Sequence, residues 1–175
     1  MENTLTWVRS ILITTPQRWL TLAQALPAEL AAMPPAAGEW SAIECLQHLV
    51  DVEKDVFPVR IEAILAGRNF PAFNPETESS KPENVSLAEL VDQYQALRAQ
   101  SLLVFERVKP EDLDKQAIHQ ELGQVTMRQL LNEWAAHDLN HTVQAERALM
   151  QSFIRDCGPW IVYFQDHVID TNPHP

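Results

Sequence analysis

The stretch TMRQLLNEWAAHDLNHTVQAERALMQ, Thr126 to Gln151, decides how the chain folds. It opens on Thr126-Met-Arg-Gln129, the S/T-x-x-E/Q box in which the first side chain accepts the N3 amide and the N3 side chain returns a bond. Behind the box, Leu130, Trp134, Ala145 and Ala148 recur on one helical face. His137 and His141 lie about 40° apart on the wheel and flank that face, so both imidazoles point into the interior. Two histidines at i and i+4 have the spacing of helical zinc ligands, and they ask for a third partner.

The same box recurs at Ser41-Ala-Ile-Glu44 and Ser86-Leu-Ala-Glu89. The three boxes predict helices over roughly 41–66, 86–107 and 126–151, the first closed by Gly67 and the second before Pro110. A further helix spans about 4–26, with Pro16 as a break or a fresh first-turn proline and Pro27 as its end. No alternating run bounded by tight turns suggests a strand, and only 4 glycines are present. The expectation is an all-α four-helix bundle forming a single domain over 1–175, with a core of about 4–151 and a C-terminal extension of 152–175. Within that extension CGPWIVYFQDHVI predicts a short extra helix from Pro159, with Trp160, Ile161 and Phe164 packed on the bundle or on a second subunit. DTNPHP reads as a frayed tail.

Two links are long. Residues 67–85, GRNFPAFNPETESSKPENV, far exceed the usual helix connection of about 2–8 residues. A helix over 41–66 is roughly 40 Å long, and an extended link of this size spans it, which would make helices two and three parallel. A disordered surface loop accounts for the same composition equally well. Residues 108–125 form the second long link and carry His119.

Composition narrows the function. A chain of 175 residues with 46% hydrophobic content builds a core without disulfides, and 13 basic against 24 acidic residues give a net charge of -11. That sign disfavours nucleic acid and anionic membrane as partners and leaves a small-molecule substrate. The N-terminus lacks a basic region followed by a continuous apolar run, and no segment approaches the roughly 18 apolar residues of a spanning helix. A soluble, cytoplasmic protein is expected. Cys45 and Cys157 form no CxxC pair and read as reduced thiols, with a disulfide or a catalytic thiol as the alternatives.

The third histidine comes from GEWSAIECLQHLVDVEKDVF. There Cys45, Leu49, Val52, Val56 and Val59 form an apolar stripe with His48 at its edge. His48 lies about two turns into its helix, His137 about three turns into the last one and His141 a turn further, so the depths match if both helices start near one end of the bundle. Three neutral imidazoles with open positions suit Zn, Ni or Fe, and the Irving-Williams order does not separate them. His119, His167 and His174 sit in a loop, a terminal segment and the tail, and are not chosen as ligands.

GEWSAIECLQHL followed by HDLNHTVQ resembles the DinB/YfiT-like metalloenzyme superfamily, and IHQELGQVTMRQLL before the last helix is similar too. The resemblance runs from about Trp19 to Met150. It implies a four-helix bundle of up-down-down-up order and a divalent-metal site of one histidine on helix two with an HxxxH pair on helix four, here His48, His137 and His141. It also implies an activity, a thiol-dependent S-transferase of bacillithiol or mycothiol type, and a homodimer. In such an enzyme the metal would bind a low-molecular-weight thiol and lower its pKa.

Other functions use the same residues. A metal-dependent hydrolase needs only the open triad. The HExxH peptidase pattern is broken by Asp138, one methylene short of glutamate. A di-iron site would need Glu-x-x-His, whereas Glu44 and Glu133 stand four before a histidine and read as a cap and a solvated or outer group. A non-catalytic binding or stress-response bundle, with the histidines holding a stabilising metal or simply hydrogen-bonding one another, is the remaining class. Asp51 and Asp55 read as a solvated face, or as partners for an imidazole N–H or an extra ligand. Trp40 reads as packing over the start of helix two in preference to a wall of the metal cavity, and Trp134 equally as core filling or cavity wall. Arg60 and Arg98 read as helix-surface ion-pair partners in preference to substrate clamps.

Overall fold

The computed structural model describes residues 3–78, 80–82 and 85–169. His174 and the tail DTNPHP lie outside the described residues. Each capping box opens a helix at the next residue: α3 is Ala42–Asp55, α6 is Leu87–Phe105 and α7 is Met127–Ile154. The returning bonds are present, with the Ser41, Ser86 and Thr126 amides donating to Glu44, Glu89 and Gln129 at 2.8, 2.9 and 2.8 Å.

α1 covers Thr4–Ala25 and α2 is a single turn at Ala28–Ala31. α1 continues through Pro16, which has no N–H to offer the Leu12 carbonyl four residues back. That carbonyl is buried and needs another donor. Arg98 Nη1 on α6 supplies it at 2.7 Å.

The long second helix is not continuous, which corrects the expectation of one helix over 41–66. α3 ends at Asp55, Val56 departs from helical geometry (φ -119°, ψ -73°), and α4 restarts at Phe57–Leu65. Pro58 is the cause, because it has no donor for Lys54 and fits the first turn of a new helix.

α1 packs against α6 and α7, and α3 against the same two. Thr4 meets Arg128, while Trp19 and Ala145 share a buried cluster, so α1 and α7 run together. Phe57 stacks on Trp134 while His48 meets His141, so α3–α4 runs opposite to α7. Tyr94 bonds Asp138 and Phe105 meets Trp134, so α6 also opposes α7. The order is up-down-down-up, as the resemblance implies. A parallel α3–α4 and α6 require a long return, and the described part of 67–85 makes it as an ordered segment. Phe70 bridges His119 at one end, Phe73 lies by His48, α5 is a turn at Pro75–Glu78, and the Ser80 amide donates to Asp51 at 2.7 Å.

The expectation of no strands is overturned in the second link. β1, Gln116–His119, pairs antiparallel with β2, Gly123–Thr126, around a short loop. Gly123 holds φ +74°, the left-handed conformation that closes such a hairpin and that other residues resist. The short extra C-terminal helix is present as expected, wound as 3-10 turns at Gly158–Tyr163 and Gln165–His167 and held by Arg147 and Gln151 bonding the His167 carbonyl. Trp160 is 65% exposed, whereas Ile161 and Phe164, 39% and 36% exposed, are covered over more than half of their surface. Among the described residues no helix is long and apolar enough to cross a membrane.

Beneath the centre of the bundle one guanidinium joins all four arms. Arg98 donates to Glu53 of α3 through Nε and Nη2 at 2.7 and 2.8 Å, and to Asp138 of α7 through Nη1 and Nη2 at 2.7 and 2.9 Å. It also reaches Leu12 O of α1 and the Tyr94 hydroxyl, and lies over the Trp134 ring. It is therefore an ion-pair partner, but in the core, 2% exposed, and not on the surface. Burial opposes its charge, but the surrounding Tyr94, Asp138 and Glu53 outweigh that and hold its pKa well above the usual value. Replacing Arg98 by Met strands two buried carboxylates, and urea denaturation should show a loss of about 3–5 kcal/mol, with much of it recovered when Glu53 and Asp138 are also made apolar.

Candidate metal centre

His48 comes from the second turn of α3, which the capping box and the buried Cys45, Leu46 and Leu49 fix against the core. His137 and His141 come from adjacent turns of α7, on either side of the buried Asp138. The structure brings all three together. One ring nitrogen from each lies within 4.8 Å of the others, and His48 Nε2 and His137 Nε2 are 3.1 Å apart. The ring centroids are 4.4 to 5.0 Å apart.

The surroundings set their protonation. Burial, reinforced by His141, lowers the His48 pKa from 6.5 to about 4. Burial, with His141 and His48 adding to it, lowers His137 to about 3. His141 is lowered as well, by burial. Near neutral pH each ring is uncharged and presents a nitrogen lone pair, the form that ligates a cation. His141 Nδ1 meets Gln144 Oε1 at 2.8 Å, which places the proton on Nδ1 and leaves the Nε2 lone pair available. His137 Nδ1 is buried without a hydrogen-bond partner. Beside the triad, the Arg98 guanidinium is paired with both Glu53 and Asp138, and burial holds the Glu53 pKa above its usual value. Three convergent neutral nitrogens fit a divalent cation.

Trp40 forms a wall of this site, the less favoured of its two readings. Its ring stacks 5.8 Å from His141 and lies 5.1 Å from His48. Phe57 meets the His137 ring edge-on at 5.3 Å, and Phe73 lies 6.3 Å from His48. Trp134 is fully buried core. A small cavity of about 140 Å³ opens beside His48, with Trp40, Glu44 and Lys81 on its walls.

The other acids are occupied elsewhere. Asp51 accepts from Gln47 and the Ser80 amide, and Asp55 is exposed beside Lys54. Glu44 serves the cap of α3, as expected, and Glu133 is exposed. Asp138, which looks like a defective peptidase residue, is fully buried on Arg98. Arg60 makes no ion pair among the described residues, contrary to its reading as a surface pair. Cys45 is a buried thiol pushed up to about 12 by burial, and Cys157 is also free. His119 is buried on β1, away from the triad, and His167 lies in the C-terminal turn. Glu53, Tyr94 and Gln144 were missed. An inward stripe of Leu87, Val91, Tyr94, Arg98, Ser101 and Phe105 in α6 was the available signal, because a charge on such a stripe demands buried partners.

A model of the DinB superfamily matches residues 11–145. This chain belongs to the DinB superfamily. Among solved structures the DinB chain is similar to YfiT from Bacillus subtilis, at 15% identity and a TM-score of 0.72, covering 87% of this chain and 89% of that one. That protein is described as a probable metal-dependent hydrolase with an unusual four-helix bundle topology. At this identity the likeness is one of fold, and it agrees with the up-down-down-up order found here. No curated protein matches the sequence.

The lowered pKa values of the DinB triad set an acid limb. Below pH 6.5 the unfolded chain takes up protons that the folded histidines refuse until about pH 4 or 3, so stability is lost as pH falls through this window. Metal-free protein should melt at progressively lower temperature from pH 6.5 to 4, and His137→Leu should flatten that slope.

Proposed function

We propose that this DinB-superfamily protein is a divalent-metal-dependent enzyme, with His48, His137 and His141 holding the ion and a small-molecule nucleophile and substrate meeting beside Trp40. The observation that carries this reading is the convergence of three uncharged imidazoles within 4.8 Å, one of them, His48, on the wall of a cavity. Zn, Ni or Fe would supply Lewis-acid chemistry there, lowering the pKa of a group at an open position. Gln144 holds His141 in its ligating tautomer, Trp40 and Phe73 exclude water from two sides, and the Arg98 cluster fixes α3 against α7. Among the described residues the cluster offers three donors, short of the four of a closed structural zinc site.

The nucleophile we favour is a low-molecular-weight thiol, making the reaction an S-transfer. Asp138, Asp51 and Glu44 are all engaged in holding structure, so none of these three carboxylates is free to take a proton. A thiol, with an ordinary pKa of about 8.5, needs far less help to ionise than water at about 15.7. Metal-dependent hydrolysis is the second reading, favoured by the description of YfiT. We further infer a cytoplasmic homodimer, in which the exposed Trp160, Val162 and Tyr163 would be covered.

Protein purified without a histidine tag should bind one divalent ion per chain, and His141→Ala should lose it. The loaded protein should consume a model electrophile only when a thiol is added. Turnover of an ester without thiol would establish the hydrolase instead, and absence of bound metal in both forms would reject the site. Gln144→Leu should weaken metal binding about tenfold or more. Sedimentation should give twice the chain mass.

A further inference from the structure

A second cavity, about 160 Å³, lies between α4, the β1–β2 hairpin and the first half of α7. None of the three clustered histidines lines it, and the hairpin contributes His119, Leu122 and Val125 to its walls. Arg60 enters it from α4 with its guanidinium over the Phe70 ring, 5.3 Å from the centroid. Its one hydrogen bond is a long 3.5 Å contact to the Pro71 carbonyl, and it has no ion pair among the described residues. A partly buried arginine in this state has nearly its whole donor fork unspent.

The second donor is His119. Its Nδ1 accepts from the Glu121 and Leu122 amides, both at 3.2 Å, so the ring proton of the neutral form resides on Nε2. The ring is buried and lines the same cavity. Burial lowers its pKa, and Arg60 adds to that, which keeps it neutral with one N–H to give.

We propose that this cavity is a carboxylate-binding subsite, in which Arg60 grips the anion by its fork, His119 Nε2–H adds a third bond, and Phe70, Leu122, Val125 and Leu130 receive the apolar group that bears it. Arg60 is three residues beyond Phe57, whose ring touches His137, and Glu133 in the cavity wall is four residues before His137. The Glu133 path is about one helical turn, roughly 5–6 Å, and the Arg60 path is a turn plus the 5.3 Å ring contact. The binding rests on Arg60 and His119 alone; the role as substrate subsite rests on the three-histidine reading. It gives the substrate a class: a small apolar molecule bearing a carboxylate. Glu133 sits in the same wall as a competing anion, so it discriminates against ligands that do not fully engage the fork.

Benzoate and its neutral isostere benzamide test this in metal-free protein, by isothermal titration and by the Arg60 Nε–H NMR signal. Benzoate should bind at least tenfold more tightly than benzamide and shift that signal. Arg60→Gln should abolish the preference, Arg60→Lys should keep part of it, and Glu133→Gln should strengthen benzoate binding. Equal binding of the two probes, or a preference that survives Arg60→Gln, overturns the proposal. Unchanged melting and an unchanged cobalt(II) absorption spectrum in Arg60→Gln show that fold and triad are intact. Failure of cobalt to bind the parent protein while benzoate preference persists would remove the metal reading and leave the subsite standing.

Discussion

The fold is organised around the donor requirements of one buried guanidinium. Pro16 leaves the Leu12 carbonyl of α1 without its helical partner, and Arg98 of α6 takes it. The same group binds Glu53 of α3 and Asp138 of α7, each through two bonds. An apolar core of similar volume would be as stable. It would not fix how far each helix is advanced along its neighbour, because apolar contacts are not directional.

That register matters because the candidate site is divided between the same helices. Glu53 follows His48 by five residues, and Asp138 sits next to His137. Holding Glu53 and Asp138 on one planar fork therefore holds His48 and His137 at hydrogen-bond distance before any ion is present. Burial keeps all three rings neutral. The geometry that the proposed ion would need is thus held by the fold itself.

The sequence made the helices legible because three capping boxes mark their starts and helical periodicity marks their faces. It made the triad legible because His137 and His141 share a stripe and His48 lies at a comparable depth. The break at Val56 was overlooked although Pro58 announces it, since the apolar stripe runs on across the gap. The hairpin was hidden by its brevity: four residues of alternation in QAIH and GQVT carry little signal beside a helix of 28 residues. The Arg98 cluster could not be found pairwise, because Leu12, Glu53, Arg98 and Asp138 are far apart in the chain and none is unusual alone. Arg60 and His119 became a pair only once the hairpin was folded against α4.

Extended X-ray absorption fine structure at the zinc edge, on protein loaded with one equivalent of zinc, addresses the central claim directly. It should show three imidazole nitrogens at about 2.0–2.1 Å with the remaining position filled by a light atom. Sulfur at about 2.3 Å, which would have to come from Cys45 or Cys157, or fewer than three imidazoles, would contradict it.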